Sequence, residues 1–175
     1  RLGPKKPMPQ DGLLPPMALK LLILHADDLF RRHLSERMRR ENYLVFDASP
    51  ADQVSDVLGR SNFDVVLLGV PGQHRDSLAL LKTIKEIRPF TEVILLTALE
   101  EHSLYRSIQA MQMGAFDDLL VPLDIHALHG RIREAYQRKK ERVKAMRSTL
   151  RQRRAVRAAE NPPGRESAKK NPAGS

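Results

Sequence analysis

At 175 residues the chain has room for one ordinary domain with tails, and the absence of Cys excludes disulfides, thiolate metal sites and cysteine nucleophiles. No apolar run reaches the ~20 residues needed to cross a bilayer, which argues against a membrane protein. The net charge of +9 is placed unevenly: 15 Lys/Arg and 4 Asp/Glu lie from Arg131 onward, against 15 and 17 in residues 1–130, so the basicity belongs to the C-terminal part.

Residues 1–16 are rich in proline and have no apolar periodicity, so they read as a flexible segment, with Met17 a candidate natural start. A repeating alternation then begins, in which a short apolar run is followed by a segment of helical period. LKLLIL (Leu19 to Leu24) precedes a helix with Leu29, Phe30, Leu34 and Met38 on its inner face. YLVF (Tyr43 to Phe46) precedes a helix capped by Ser49, with Pro50 in its first position and Val54, Val57 and Leu58 inward. DVVLL (Asp64 to Leu68) is followed by a stripe of Leu78, Leu81, Ile84 and Ile87 closed by Pro89. EVILL (Glu92 to Leu96) leads into a helix bearing Leu104, Ile108 and Met111 and stopped at Gly114. DLLVP (Asp118 to Pro122) leads to a helix capped by Asp124, with Ile125, Leu128, Ile132 and Tyr136 inward.

Strands written as nearly unbroken apolar runs are buried on both faces, which predicts an α/β fold with a parallel sheet covered by helices on each side. Five β-α pairs predict a doubly wound five-stranded sheet of order 2-1-3-4-5, with its functional end at the carboxyl ends of the strands. The last helix keeps its apolar period through Val143, Met146 and Leu150. From Ile125 to Leu150 it would span ~38 Å at ~1.5 Å per residue, so its second half must project. The expected organisation is a flexible segment 1–16, a domain 17–140, and a basic helical extension with a disordered end over 141–175.

In order and separation, DVVLLGVPG, LLKTIKEIRP, VILLTA and MGAFDDLLVP resemble the receiver domain of bacterial two-component response regulators. The resemblance implies a flavodoxin-like receiver fold. It also implies a pocket where an Asp after the third strand is phosphorylated with Mg²⁺ held by two acidic residues, aided by a Ser/Thr and a Lys. Carried over position by position, the acceptor falls on Gly69, the acidic pair on His25 and Ala26, and the Lys on Val121, while Thr97 matches. The family's aromatic switch falls on Asp118. Asp27 and Asp28 are the alternative acidic pair through a shifted loop.

The resulting expectation is a degenerate pocket with no catalytic residue and no metal site, in which Mg²⁺ does not bind well and no cofactor is needed. Gly69→Asp alone is not expected to restore phosphorylation. His25 reads as a structural residue, with a pH switch as the competing reading. His126 and His129 read as a surface pair, and Thr97 as a turn-closing or helix-capping residue. GVPG (residues 69–72) has no P-loop lysine and reads as a turn, although an emptied pocket beside helix N-termini is a site for a small anionic ligand.

The implied function is a phosphorylation-independent protein-interaction module in bacterial cytoplasmic signalling, not an enzyme. It would act with a protein partner or a second copy through Leu104, Ile108 and Met111 and through Val143, Met146 and Leu150. Two alternatives stand beside it. One is a nucleic-acid-binding regulator using Arg151, Arg153, Arg154 and Arg157 of the basic helix. The other is an active phosphorelay receiver with an unorthodox acceptor.

Overall fold

The computed structural model describes residues 19–50, 52, 54–69 and 74–160. The expected N-terminal segment, the residues of the GVPG turn after Gly69, and the end of the chain beyond Glu160 lie outside the described residues.

Among the described residues five strands and five helices alternate: β1 Lys20–His25, α1 Asp28–Arg40, β2 Leu44–Ala48, α2 Val54–Arg60, β3 Val65–Gly69, α3 His74–Ile87, β4 Glu92–Ala98, α4 Leu104–Gln112, β5 Asp117–Val121 and α5 Ile125–Glu160. A single 3-10 turn, Leu99–Glu101, lies between β4 and α4. The strands form one parallel sheet of order β2-β1-β3-β4-β5, the predicted doubly wound arrangement.

Successive side chains of a strand face opposite ways, and the sheet sorts them into two cores. Leu22 and Leu24 of β1 join Val66 and Leu68 of β3 under α2, α3 and α4, with Leu58, Leu81, Ile84 and Ala110. Leu21 and Ile23 join Val65, Leu67 and Ile94 on the other face, under Leu34 and Met38 of α1 and Leu128, Ile132 and Ala135 of α5.

Several expected positions move. Leu29 is 65% exposed, because it lies about 100° around the helix from Phe30, which heads the inward row with Leu34 and Met38. Ile87 is also exposed: each step of three residues falls short of a full turn by about 60°, so three steps from Leu78 bring Ile87 to the opposite side. Ser49 does not cap α2, which starts at Val54. Its N–H instead donates to Asp52 Oδ2 at 2.8 Å in the preceding turn. Gly114 does end α4, at φ +96°, a conformation in which a Cβ is strained.

α5 is one uninterrupted helix of 36 residues. Its root is tied to the amino ends of the strands: Lys139 Nζ donates to Phe63 O and Asp64 Oδ1, both at 2.8 Å, and Arg142 donates to Glu92 Oε1 at 2.7 Å and Pro89 O at 3.0 Å.

Candidate functional site

The carboxyl ends of the strands place His25, Gly69, Thr97 and Val121 at one edge of the sheet. His25 and Gly69 are paired in the β1–β3 register, and Ala26 N–H donates to Gly69 O at 3.2 Å. The His25 ring lies directly over Gly69. A Cβ built on that glycine would overlap ring atom Cδ2 and lie 2.7 Å from Nε2.

The ring is held in place from two sides, and the backbone beneath it by a third contact. Asp27 N–H donates to His25 Nδ1 at 3.0 Å, so the neutral imidazole carries its proton on Nε2. Phe30 packs against it with ring centroids 4.3 Å apart, and Arg31 Nη1 donates to His25 O at 2.7 Å. His25 is buried. Burial pushes its pKa below the ordinary 6.5, outweighing the opposite pull of the Asp27 hydrogen bond and charge.

A group protonated more readily when unfolded destabilises the fold as it charges. The stabilising contribution of a neutral His25 is therefore complete above about pH 6.5 and lost as pH falls through the lower folded value. His129 is lowered too, chiefly by desolvation, and acts with the same sign. The urea midpoint is expected to be lower at pH 5.5 than at pH 7.5. In His25→Phe, which keeps a ring over Gly69, the decrease should shrink; an unchanged decrease would remove His25 from the account.

Asp27 and Asp28 are committed elsewhere. Asp27 caps α1 by accepting from Phe30 N–H at 2.9 Å, and that bond holds its pKa below the usual value. Asp28 pairs with Arg31 Nη2 at 2.7 Å, and Arg31 also faces Asp47 at 3.7 Å.

Thr97 turns toward the fifth strand rather than closing a turn or capping α4. Its hydroxyl donates to Asp118 Oδ1 at 2.5 Å, and Ser107 Oγ of α4 donates to Asp118 Oδ2 at 2.5 Å. Asp118 thus ties β4, β5 and α4 together, while Ser103 provides the α4 cap. Thr97, Asp118, Ser77, Ser103 and Arg106 border a cavity of about 20 Å³, room for about one water. Val121 packs into the core on the α1–α5 face. The structure therefore groups His25, Ala26 and Gly69, and joins Thr97 to Asp118.

The His126–His129 pair is not a surface pair. His126 is exposed, but His129 is largely covered and its Nδ1 is 3.1 Å from Tyr43 OH. Among the described residues no group of three His, Asp or Glu side chains is placed to hold a metal ion.

Leu104, Ile108 and Met111 are 72%, 48% and 39% exposed on one face of α4, with Leu120 of β5 also exposed. Met146 and Leu150 are exposed and Val143 is half-buried. Sequence reading missed the cluster at the opposite edge of the sheet. Glu92, fully buried, faces Arg142 at 2.7 Å, Lys85 at 3.5 Å and Arg138 at 3.6 Å. Its one sequence signal is an acidic residue opening an otherwise apolar run.

Residues 21–133 match the model of the response regulator receiver domain. The chain belongs to the response regulator receiver family. It is 31% identical over 121 residues to the transcriptional regulatory protein CrdR of Helicobacter pylori, covering 69% of this chain and 56% of that protein. It is 36% identical over 104 residues to the DNA-binding transcriptional regulator NtrC of Proteus hauseri, covering 59% of this chain and 21% of the relative. The chain thus spans only part of the length of these relatives. Among solved structures, a response regulator receiver domain protein from Clostridium thermocellum superposes with a TM-score of 0.62 at 26% identity, over 70% of this chain and 97% of that one. As a receiver it is a component of two-component signalling. No helix of the described residues is long and apolar enough to cross a membrane.

Proposed function

We propose that this receiver signals without accepting a phosphoryl group, as a cytoplasmic protein-interaction module that is not itself catalytic. The observation that carries this reading is the His25 ring over Gly69: the end of β3 offers neither a carboxylate nor the space for one. Phosphoryl transfer to a side chain needs a nucleophile and groups that neutralise the developing charge.

Mg²⁺ does not fit the residues present. This hard cation takes near-octahedral oxygen ligands, whereas the positions of the acidic pair and the acceptor hold imidazole, a methyl group and a glycine. The alternative acidic pair, Asp27 and Asp28, is engaged by a helix cap and by Arg31.

The contact surface in this reading is the α4 face of Leu104, Ile108 and Met111, continued by Leu120. Apolar side chains at such exposure favour a protein partner or a second copy of the chain.

Incubating the full chain with a small-molecule phosphoryl donor and Mg²⁺, then measuring intact mass under conditions that preserve acyl phosphates, is expected to give unmodified protein. The addition of one phosphoryl group would overturn the reading and support a receiver with an unorthodox acceptor.

A further inference from the structure

The projecting part of α5 carries its cations in rows, and one row is unusual. Lys140, Lys144, Arg147, Arg151 and Arg154 follow at intervals of four, three, four and three residues on an unbroken helix. At about 100° per residue they fall within about 80° of arc, and from first to last they run about 21 Å. The four arginines singled out in the sequence do not share a face: Arg151 and Arg154 belong to this row, while Arg153 lies about 160° around the helix from Arg151.

The row is free to act. Lys139 and Arg142, off the row, are held by Asp64 and Glu92. Among the described residues, none of the five cations of the row is paired with a carboxylate; Lys140 rests over the Tyr136 ring, 4.8 Å from its centre. A groove of about 550 Å³ runs along the row from Asp64 at the sheet edge to Arg151. The one acidic residue in its lining among the described residues, Asp64, is already neutralised by Lys139 at 2.8 Å.

We propose that this row is a binding surface for the phosphate backbone of duplex DNA, used without base-sequence readout. Residues 141–160 hold 7 Lys/Arg against 2 Asp/Glu, so two copies aligned along this face would repel each other, while a polyphosphate is complementary. A helix about 10–12 Å across fits the major groove of B-DNA, about 12 Å wide, whereas the major groove of A-form RNA is too narrow and deep. An anionic membrane is a poorer match: the apolar flank is only Val143, Met146 and Leu150, with no Trp or Phe to seat in the interface. The cations of the row go to phosphates, which carry no sequence information directly, so the surface positions without specifying.

The test is fluorescence anisotropy of the full chain with a labelled 20-base-pair duplex of arbitrary sequence, over a salt series. Five phosphate contacts predict a log-log salt slope of about −4.5. Arg147→Gln with Arg151→Gln is expected to make the slope shallower by about 1.8 and weaken binding about 60-fold at 0.1 M salt. Arg153→Gln with Arg157→Gln, which removes the same charge off the row, should leave the slope unchanged. Circular dichroism of both variants checks that the helix is retained. Equal losses in the two double variants, no binding at low salt, or tighter binding to phosphatidylglycerol vesicles than to the duplex would each overturn the proposal.

Discussion

Glu92→Gln is expected to destabilise the protein by about 3 kcal/mol, because it leaves a buried ammonium without its counter-charge. The Glu92 side chain is fully buried, and the Lys85 side chain facing it at 3.5 Å is only 15% exposed. Burial already pulls the Lys85 pKa down, and the Glu92 charge is the largest influence in the other direction. Arg138 and Arg142 are more exposed and can turn to water, but among the described residues Lys85 keeps only the Thr91 carbonyl, at 2.8 Å. For a chain of this size the loss corresponds to a fall in Tm of about 6–12 °C. Pairing Lys85→Met with Glu92→Leu should be less damaging than Glu92→Gln alone, since removing both charges of a buried pair avoids the orphan. A loss under about 1 kcal/mol for the single variant would mean that water reaches the cluster.

The second large effect is a coupling between residues 44 positions apart. Gly69→Ala is expected to cost about 2 kcal/mol, within the range for forcing extra atoms into a packed site, since the new Cβ meets the His25 ring. That ring cannot swing away without giving up the Asp27 N–H bond and the Phe30 contact. In a His25→Ala background the same substitution should cost little, giving a coupling of at least about 1 kcal/mol in a denaturation cycle. Additive losses would show that the ring moves freely. Gly69→Asp meets the same obstacle. Its expected failure to take up a phosphoryl group thus has a steric cause as well as the chemical one that His25, Ala26 and Val121 stand where carboxylates and a Lys would be needed.

The fold was legible because each central strand is apolar on both faces, as VVLLG and KLLIL are, and only a sheet covered on both sides accommodates that. Helix faces were less so: a run such as Leu78, Leu81, Ile84, Ile87 looks regular in one dimension yet drifts around the cylinder until its last member meets solvent. At the site, the glycine was visible in the sequence but its cover was not. The cover depends on the His25–Gly69 register and on a ring orientation set by Asp27 and Phe30. The Glu92 cluster was hidden for a related reason: Asp64 before β3, Lys85 of α3, Glu92 of β4 and Lys139 and Arg142 of α5 are far apart in sequence and meet only when the helices pack on the sheet. Thr97 likewise gave no sign of its partner, because Asp118 reaches it only through the β4–β5 pairing.

The clamp of Lys139 and Arg142 on the amino ends of β3 and β4 makes α5 a cantilever. From Arg142 to Glu160 the free arm is about 27 Å long, so a tilt of about 10° at its root sweeps the tip through about 5 Å, one full turn of helix. Any contact that tilts the base of that arm repositions everything at its end, and the gain is set by length alone.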